Sequence, residues 1–185
     1  MRIIGGQHRG TQLADVGKGD EAAHLRPTSD RVRESLFNIL MGGRFGDVVR
    51  DARVLDLFAG TGALGLEALS RGAVHATFVE NGRVGQRLLK QNIAKLRRVG
   101  DCEVLSIDAT LLPKAPEPAD LIFMDPPYGK GLGLKALQTA RASGWARSGT
   151  TIVWEEASQQ LPPPGFQALD QRRYGDTWIT FFEAG

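Results

Sequence analysis

The run "RVLDLFAGTGALGLEALSRGA", Arg53 to Ala73, decides the fold. Its first six residues are a short, mostly apolar strand. Glycines 60, 62 and 65 then turn the chain, and Leu64, Ala68 and Leu69 recur at helical spacing. A buried strand running through a tight glycine turn into a helix is the opening unit of an open α/β sheet.

The rest of the chain repeats that unit. "HATFVE" (75–80), "CEVLSID" (102–108), "DLIFMD" (120–125) and "TTIVWEE" (150–156) read as strands, with helices expected over about 84–99 and 134–141. "FQALDQRRYG" and "DTWITFFEA" alternate as a terminal hairpin does. The expectation is a mostly parallel sheet with helices on both faces and an antiparallel pair at its end. In such sheets ligands bind beyond the carboxyl ends of the strands. Asp56, Glu80, Asp108 and Asp125 all fall at or near those ends, so four carboxylates are expected along one edge. Ahead of the sheet, "MRIIGGQHRGTQL" reads as a glycine-rich β-hairpin. "RPTSDRVRESLFNILMGG" (26–43) reads as a helix that Thr28 or Ser29 caps and Gly42–Gly43 stop, with Val32, Leu36, Ile39 and Leu40 inward.

Composition sets bounds. One cysteine, Cys102, rules out an internal disulfide and reads as a strand residue, and no Cys/His spacing points to a metal. No apolar run approaches the ~18 residues of a membrane span, and the N-terminus lacks a signal-peptide core, so a cytoplasmic protein is expected. The net charge of +2 is polarised. Residues 1–100 carry 16 Lys/Arg against 10 Asp/Glu, and residues 101–185 carry 7 against 11. A basic half of this kind fits an anionic polymer. The six bases between Arg83 and Arg98 read as the solvated face of a helix.

"GTGALG" (60–65), with Glu80 twenty residues after Gly60, matches the dinucleotide fingerprint literally, which makes a nicotinamide-dependent oxidoreductase the first candidate. Asp56 stands where a dinucleotide fold has apolar residues, and the chain has no room for a substrate domain. The stretch "DLFAGTGALGLEAL" instead resembles the S-adenosylmethionine loop of Rossmann-like methyltransferases. That cofactor carries an ammonium, a ribose and an adenine but no phosphates, so carboxylates suit it. By the resemblance, Asp56 and the Gly60, Thr61 and Gly62 backbone hold the methionine end, bordered by Phe58. Glu80, with Asn81 beside it, takes the ribose hydroxyls, Asp108 and Ala109 take the adenine, and Asp125 closes the site.

"LIFMDPPYGKG" (121–131) ends a core strand on an acid, two prolines and an aromatic. Pro126 and Pro127 fix φ and remove two donors, while carbonyls remain. A stiff turn of this kind aims the Asp125 carboxylate and a main-chain oxygen at one point, where an NH₂ group is the natural guest. Tyr128 offers a ring on which a base stacks, worth ~1–3 kcal/mol. An exocyclic amine is a poor nucleophile because its lone pair is delocalised. Two acceptors on its hydrogens favour the pyramidal, attacking form, so positioning and electrostatics carry the chemistry. Asp125, Pro126, Pro127 and Tyr128 are therefore the catalytic candidates. A base in a duplex must be flipped out to reach them.

End to end, through "MRIIGGQHRG", "RPTSDRVRESLFNIL", "VLDLFAGTGALGLEALSRGA", "FVE", "LIFMDPPYG" and "YGDT" (174–177), the chain resembles the bacterial 16S rRNA (guanine(966)-N2)-methyltransferase family. The resemblance implies a seven-stranded class I methyltransferase fold. It implies an rRNA-contacting extension over 1–43 and a catalytic domain over 44–185, S-adenosylmethionine as cofactor, and no metal. It also implies a monomer acting on 16S rRNA in the small ribosomal subunit or a late precursor. Arg2, His8, Arg9, Arg26, Arg31 and Arg33 are the expected phosphate contacts, and Thr28, Arg31 or Phe37 border the cofactor. Competing readings are the same chemistry on another rRNA guanine or on adenine N6 in DNA, and a non-catalytic assembly factor. The loop "LADVGKGDEAAHL" (13–25) is longer than the family pattern leads one to expect.

Overall fold

Strand-forming residues on two alternating faces give this chain a sheet that is covered on both sides. The computed structural model describes residues 1–16 and 28–185. Seven strands form one sheet: β1 (Arg53–Leu57), β2 (His75–Val79), β3 (Cys102–Leu105), β4 (Ala119–Met124), β5 (Ala146–Glu156), β6 (Phe166–Tyr174) and β7 (Thr177–Ala184). Their order is β3-β2-β1-β4-β5-β7-β6, with the first five parallel and β7 antiparallel to both of its neighbours. The expected fold class is the observed one.

Successive residues of a strand point to opposite faces. Val54, Phe78, Leu121, Phe123 and Val153 join one core with Leu36, Phe37 and Leu40 of α1 (Asp30–Gly42), Leu66 and Leu69 of α2 (Ala63–Ser70) and Leu89 and Ile93 of α3 (Arg83–Lys95). Leu55, Leu57, Ile122, Met124, Ile152 and Trp154 form the other with Ala136, Leu137 and Ala140 of α4 (Leu132–Ala142). Three helices thus cover one face and α4 the other.

Ser29 caps α1, its hydroxyl accepting from Val32 N at 3.2 Å. Helix α3 stops at Lys95 rather than near Val99, because Arg97 takes a left-handed φ of 56° and a 3-10 turn follows. Strand β3 stops pairing at Leu105, so Asp108 lies three residues beyond the ladder. The N-terminal hairpin is reduced to a single antiparallel bridge, Arg2 to Gln12. Among the described residues, no helix is long and apolar enough to cross a membrane.

Candidate active site

The glycine loop leaves β1 under strain. Phe58, without a glycine's freedom, has φ 60°, in the left-handed region that costs an ordinary residue about 1 kcal/mol or more. The loop is held by Glu80, just past β2, whose two carboxylate oxygens accept from Gly60 N and Gly82 N, each at 2.7 Å. Gly62, at φ 83°, sits so close to α3 that a Cβ there would lie 2.4 Å from Leu89 Cδ1. Thr61 is buried, and its carbonyl accepts from Asn92 Nδ2 at 3.0 Å.

Asp56 lies beneath this loop, 3% exposed, with Oδ2 accepting from Gly65 N at 2.9 Å. Burial pushes its pKa up to about 8; the Gly65 bond opposes the rise and the Glu80 charge adds to it. Asp56 therefore acts on the loop from below, through the first turn of α2. Asp108 is half-buried, and its Oδ1 accepts from both Thr110 N (2.8 Å) and Thr110 Oγ1 (2.7 Å), which fixes the turn that buries Ala109. Asn81 is exposed beside Glu80.

The Asp-Pro-Pro-Tyr corner follows β4 directly. Register places Leu57 opposite Met124, so the glycine loop and the corner leave neighbouring strands side by side. Asp125 and Pro127 are half-buried, and Pro126 is buried. The Tyr128 hydroxyl donates to Glu155 Oε1 at 3.2 Å and lies 3.3 Å from Thr177 Oγ1. Glu155 Oε2 accepts from Thr28 Oγ1 at 3.1 Å. Burial raises the pKa of Glu155 against the pull of those two hydroxyls. Burial likewise raises that of Tyr128, with the charges of Glu155 and Asp125 adding to the effect.

The family described as "Conserved hypothetical protein 95" matches residues 1–183. The chain belongs to this family. It is 41% identical over 164 residues to ribosomal RNA small subunit methyltransferase D of Escherichia coli, covering 88% of this chain and 78% of that protein. The Haemophilus influenzae protein of the same name is 33% identical over 182 residues, covering 95% and 89%. Among solved structures, yhhF of Escherichia coli superposes with a TM-score of 0.83 at 34% identity, covering 100% of this chain and 97% of that one. The resemblance read from the motifs holds across the whole chain.

For a member of the Conserved hypothetical protein 95 family, the placement of the expected phosphate contacts is uneven. Arg9 and Arg31 are exposed, and exposed Arg2 pairs with Asp30 at 3.2 Å. His8 is half-buried 3.5 Å from an Arg98 nitrogen, and burial and that arginine both lower its pKa. Arg26 and His24 lie outside the described residues, as does most of the 13–25 loop. Arg33 requires a correction: it is fully buried and faces no solvent. Its Nη2 donates to Asp30 Oδ1 (2.6 Å) and to the Arg2 carbonyl (2.8 Å), and Nη1 lies 3.5 Å from Glu67.

Glu67, also fully buried, accepts from Ile4 N and Gly5 N (both 2.9 Å) and from Arg71 Nε (2.8 Å). The N-terminal segment consequently runs along α2. Its open end is joined to Asn92, and its tip is held at Ser70, where Gln7 N and His8 N bond. Arg9 thus sits at the end of α2 away from the glycine loop. Sequence reading passed over Glu155, Thr177, Glu67 and Asn92. For Glu155 a signal existed, since "TTIVWEE" ends in acid as the three preceding strands do.

Proposed function

We propose that this protein transfers the methyl group of S-adenosylmethionine to the exocyclic N2 of a single guanine, position 966 of 16S rRNA. The observation that carries the reading is the register of β1 against β4, which sets the glycine loop and the Asp-Pro-Pro-Tyr corner next to each other on one sheet edge. The names of the relatives support rRNA as the substrate class.

The residues fit the cofactor. Residues 54–70 contain no lysine or arginine, and the edge offers the carboxylates of Glu80 and Asp108, with Asp56 buried beneath the loop. These acceptors suit an ammonium, ribose hydroxyls and an adenine amine, and they repel a pyrophosphate. Glu80 and the Gly60–Gly62 backbone would hold the methionine and ribose portions, and Asp108 with Ala109 the adenine. When bound, the cofactor supplies an electrophilic methyl on sulfonium sulfur. The chain's own contribution is placement. Tyr128 stacks on the guanine, and Asp125 with the Pro126 carbonyl accepts the amine hydrogens, turning the N2 lone pair outward. Asp125 is also the nearest acceptor for the proton the amine sheds. The exposed Arg2, Arg9 and Arg31 bind phosphates of the small subunit or a late precursor, where the protein works as a cytoplasmic monomer.

The test is to incubate small subunits lacking the modification with the protein and methyl-labelled cofactor, then map methylated nucleotides by mass. One N2-methylguanine is expected, at position 966. Label on another base, or none alongside tight nicotinamide-dinucleotide binding, overturns the reading.

A further inference from the structure

Glu155 is where three separate stretches of sequence meet. It is the last residue but one of β5, one strand over from the corner, and Met124 stands opposite Trp154 in the parallel register. Asp125 and Glu155 therefore follow paired residues at the carboxyl edge, with strand axes about 4.8 Å apart. One Glu155 oxygen accepts from the Tyr128 hydroxyl and the other from Thr28, and the same tyrosine hydroxyl lies against Thr177. Those bonds fix the carboxylate relative to the Tyr128 ring. A carboxylate has about four lone-pair sites, so each oxygen can accept a further hydrogen.

We infer that Glu155 determines which base is methylated, by accepting the N1–H of a guanine stacked on Tyr128. The inference rests on the function proposed above. Guanine presents two adjacent donors, N1–H and the N2 amine, on the edge that enters the site. Asp125 meets the amine and Glu155 meets the neighbouring N1–H, so two carboxylates read two donors. Adenine and 2-aminopurine carry an amine too, but their N1 is a bare lone pair. Against it the carboxylate loses a bond and gains a repulsion, and a site built for a hydrogen bond rejects an analogue lacking it strongly. The corner alone suits any amine-bearing base. Glu155 narrows it to guanine.

The experiment uses 16S rRNA with guanine or 2-aminopurine at the target position, assembled into small subunits. It compares kcat/KM for the wild-type protein and Glu155→Gln. The wild type should prefer guanine by about 100-fold or more. In Glu155→Gln the guanine rate falls and the preference narrows to within about tenfold, because a carboxamide can turn its NH₂ to the bare N1. Cofactor affinity and melting temperature should stay near wild-type values. Should Glu155→Gln fail to fold, Glu155→Asp keeps the charge and must keep a preference above about 30-fold at a reduced rate. A wild type that takes both bases alike, or a Glu155→Gln preference equal to that of wild type, overturns the inference and leaves Glu155 a structural tie. A wild type inactive on guanine fails earlier, and sinks the proposed function itself.

Discussion

The two halves of the candidate site are built by opposite means. Along the glycine loop, the carboxylates bind backbone N–H groups close by in sequence. Glu80 reaches Gly82 and Gly60, 2 and 20 residues away, Asp56 reaches Gly65 across 9, and Asp108 reaches Thr110 across 2. At the Asp-Pro-Pro-Tyr corner, side chains bind side chains from remote segments. Tyr128 meets Glu155 across 27 residues and Thr177 across 49, and Thr28 meets Glu155 across 127. The loop half is built within β1, β2, β3 and the two helices between them. The corner half exists only once the whole sheet has assembled.

If that division also separates cofactor binding from chemistry, variants on the two sides should fail differently. The largest effect is expected at the corner. Asp125→Ala should lower single-turnover methylation by about 10²–10³-fold or more, with S-adenosylmethionine affinity by calorimetry changed less than about threefold. Retained methylation would take Asp125 out of the mechanism, and lost cofactor binding would erase the division. On the other side, Glu80→Gln sets an NH₂ against one of the two loop N–H groups. Cofactor affinity should fall about 10- to 100-fold, while the rate at saturating cofactor stays close to that of wild type. A rate loss at saturation would show that the loop shapes the corner as well.

The remaining effect concerns pH. Folded Asp56 keeps its proton up to about pH 8, whereas its ordinary value is 3.8. Between those values the folded state binds the extra proton, so stability declines as pH rises, on the order of 1 kcal/mol per unit from this group. Asp56→Asn should flatten that decline in melting curves taken from pH 5 to 8. An unchanged slope would mean that Asp56 is ionised beneath the loop.

The same division explains what the sequence disclosed. The fold was legible because apolar runs of strand length alternate with helical periodicity, and the glycine loop because its partners are near neighbours. Two element ends were misjudged where local backbone overrode pattern, at the left-handed Arg97 and at Leu105. Arg33 read as a surface base, since a charge on a helix is usually solvated. Asp30, the Arg2 carbonyl and Glu67, the last two more than 30 residues away, together explain its burial. Glu155 escaped for the same reason, as its partners Thr28 and Tyr128 lie 127 and 27 residues away.

The buried Glu67 has a consequence for anyone who would trim this protein. With Asn92 it stitches residues 2–14 to α2 and α3, so the N-terminal stretch is no detachable arm. Excising residues 1–43 would strip the buried Glu67 of Arg33 and two amide donors, leaving it Arg71 alone, and leave Asn92 without its two bonds to Ala14, a loss on the scale of several kcal/mol. A truncated enzyme that failed to methylate would therefore report a damaged scaffold before it reported anything about RNA.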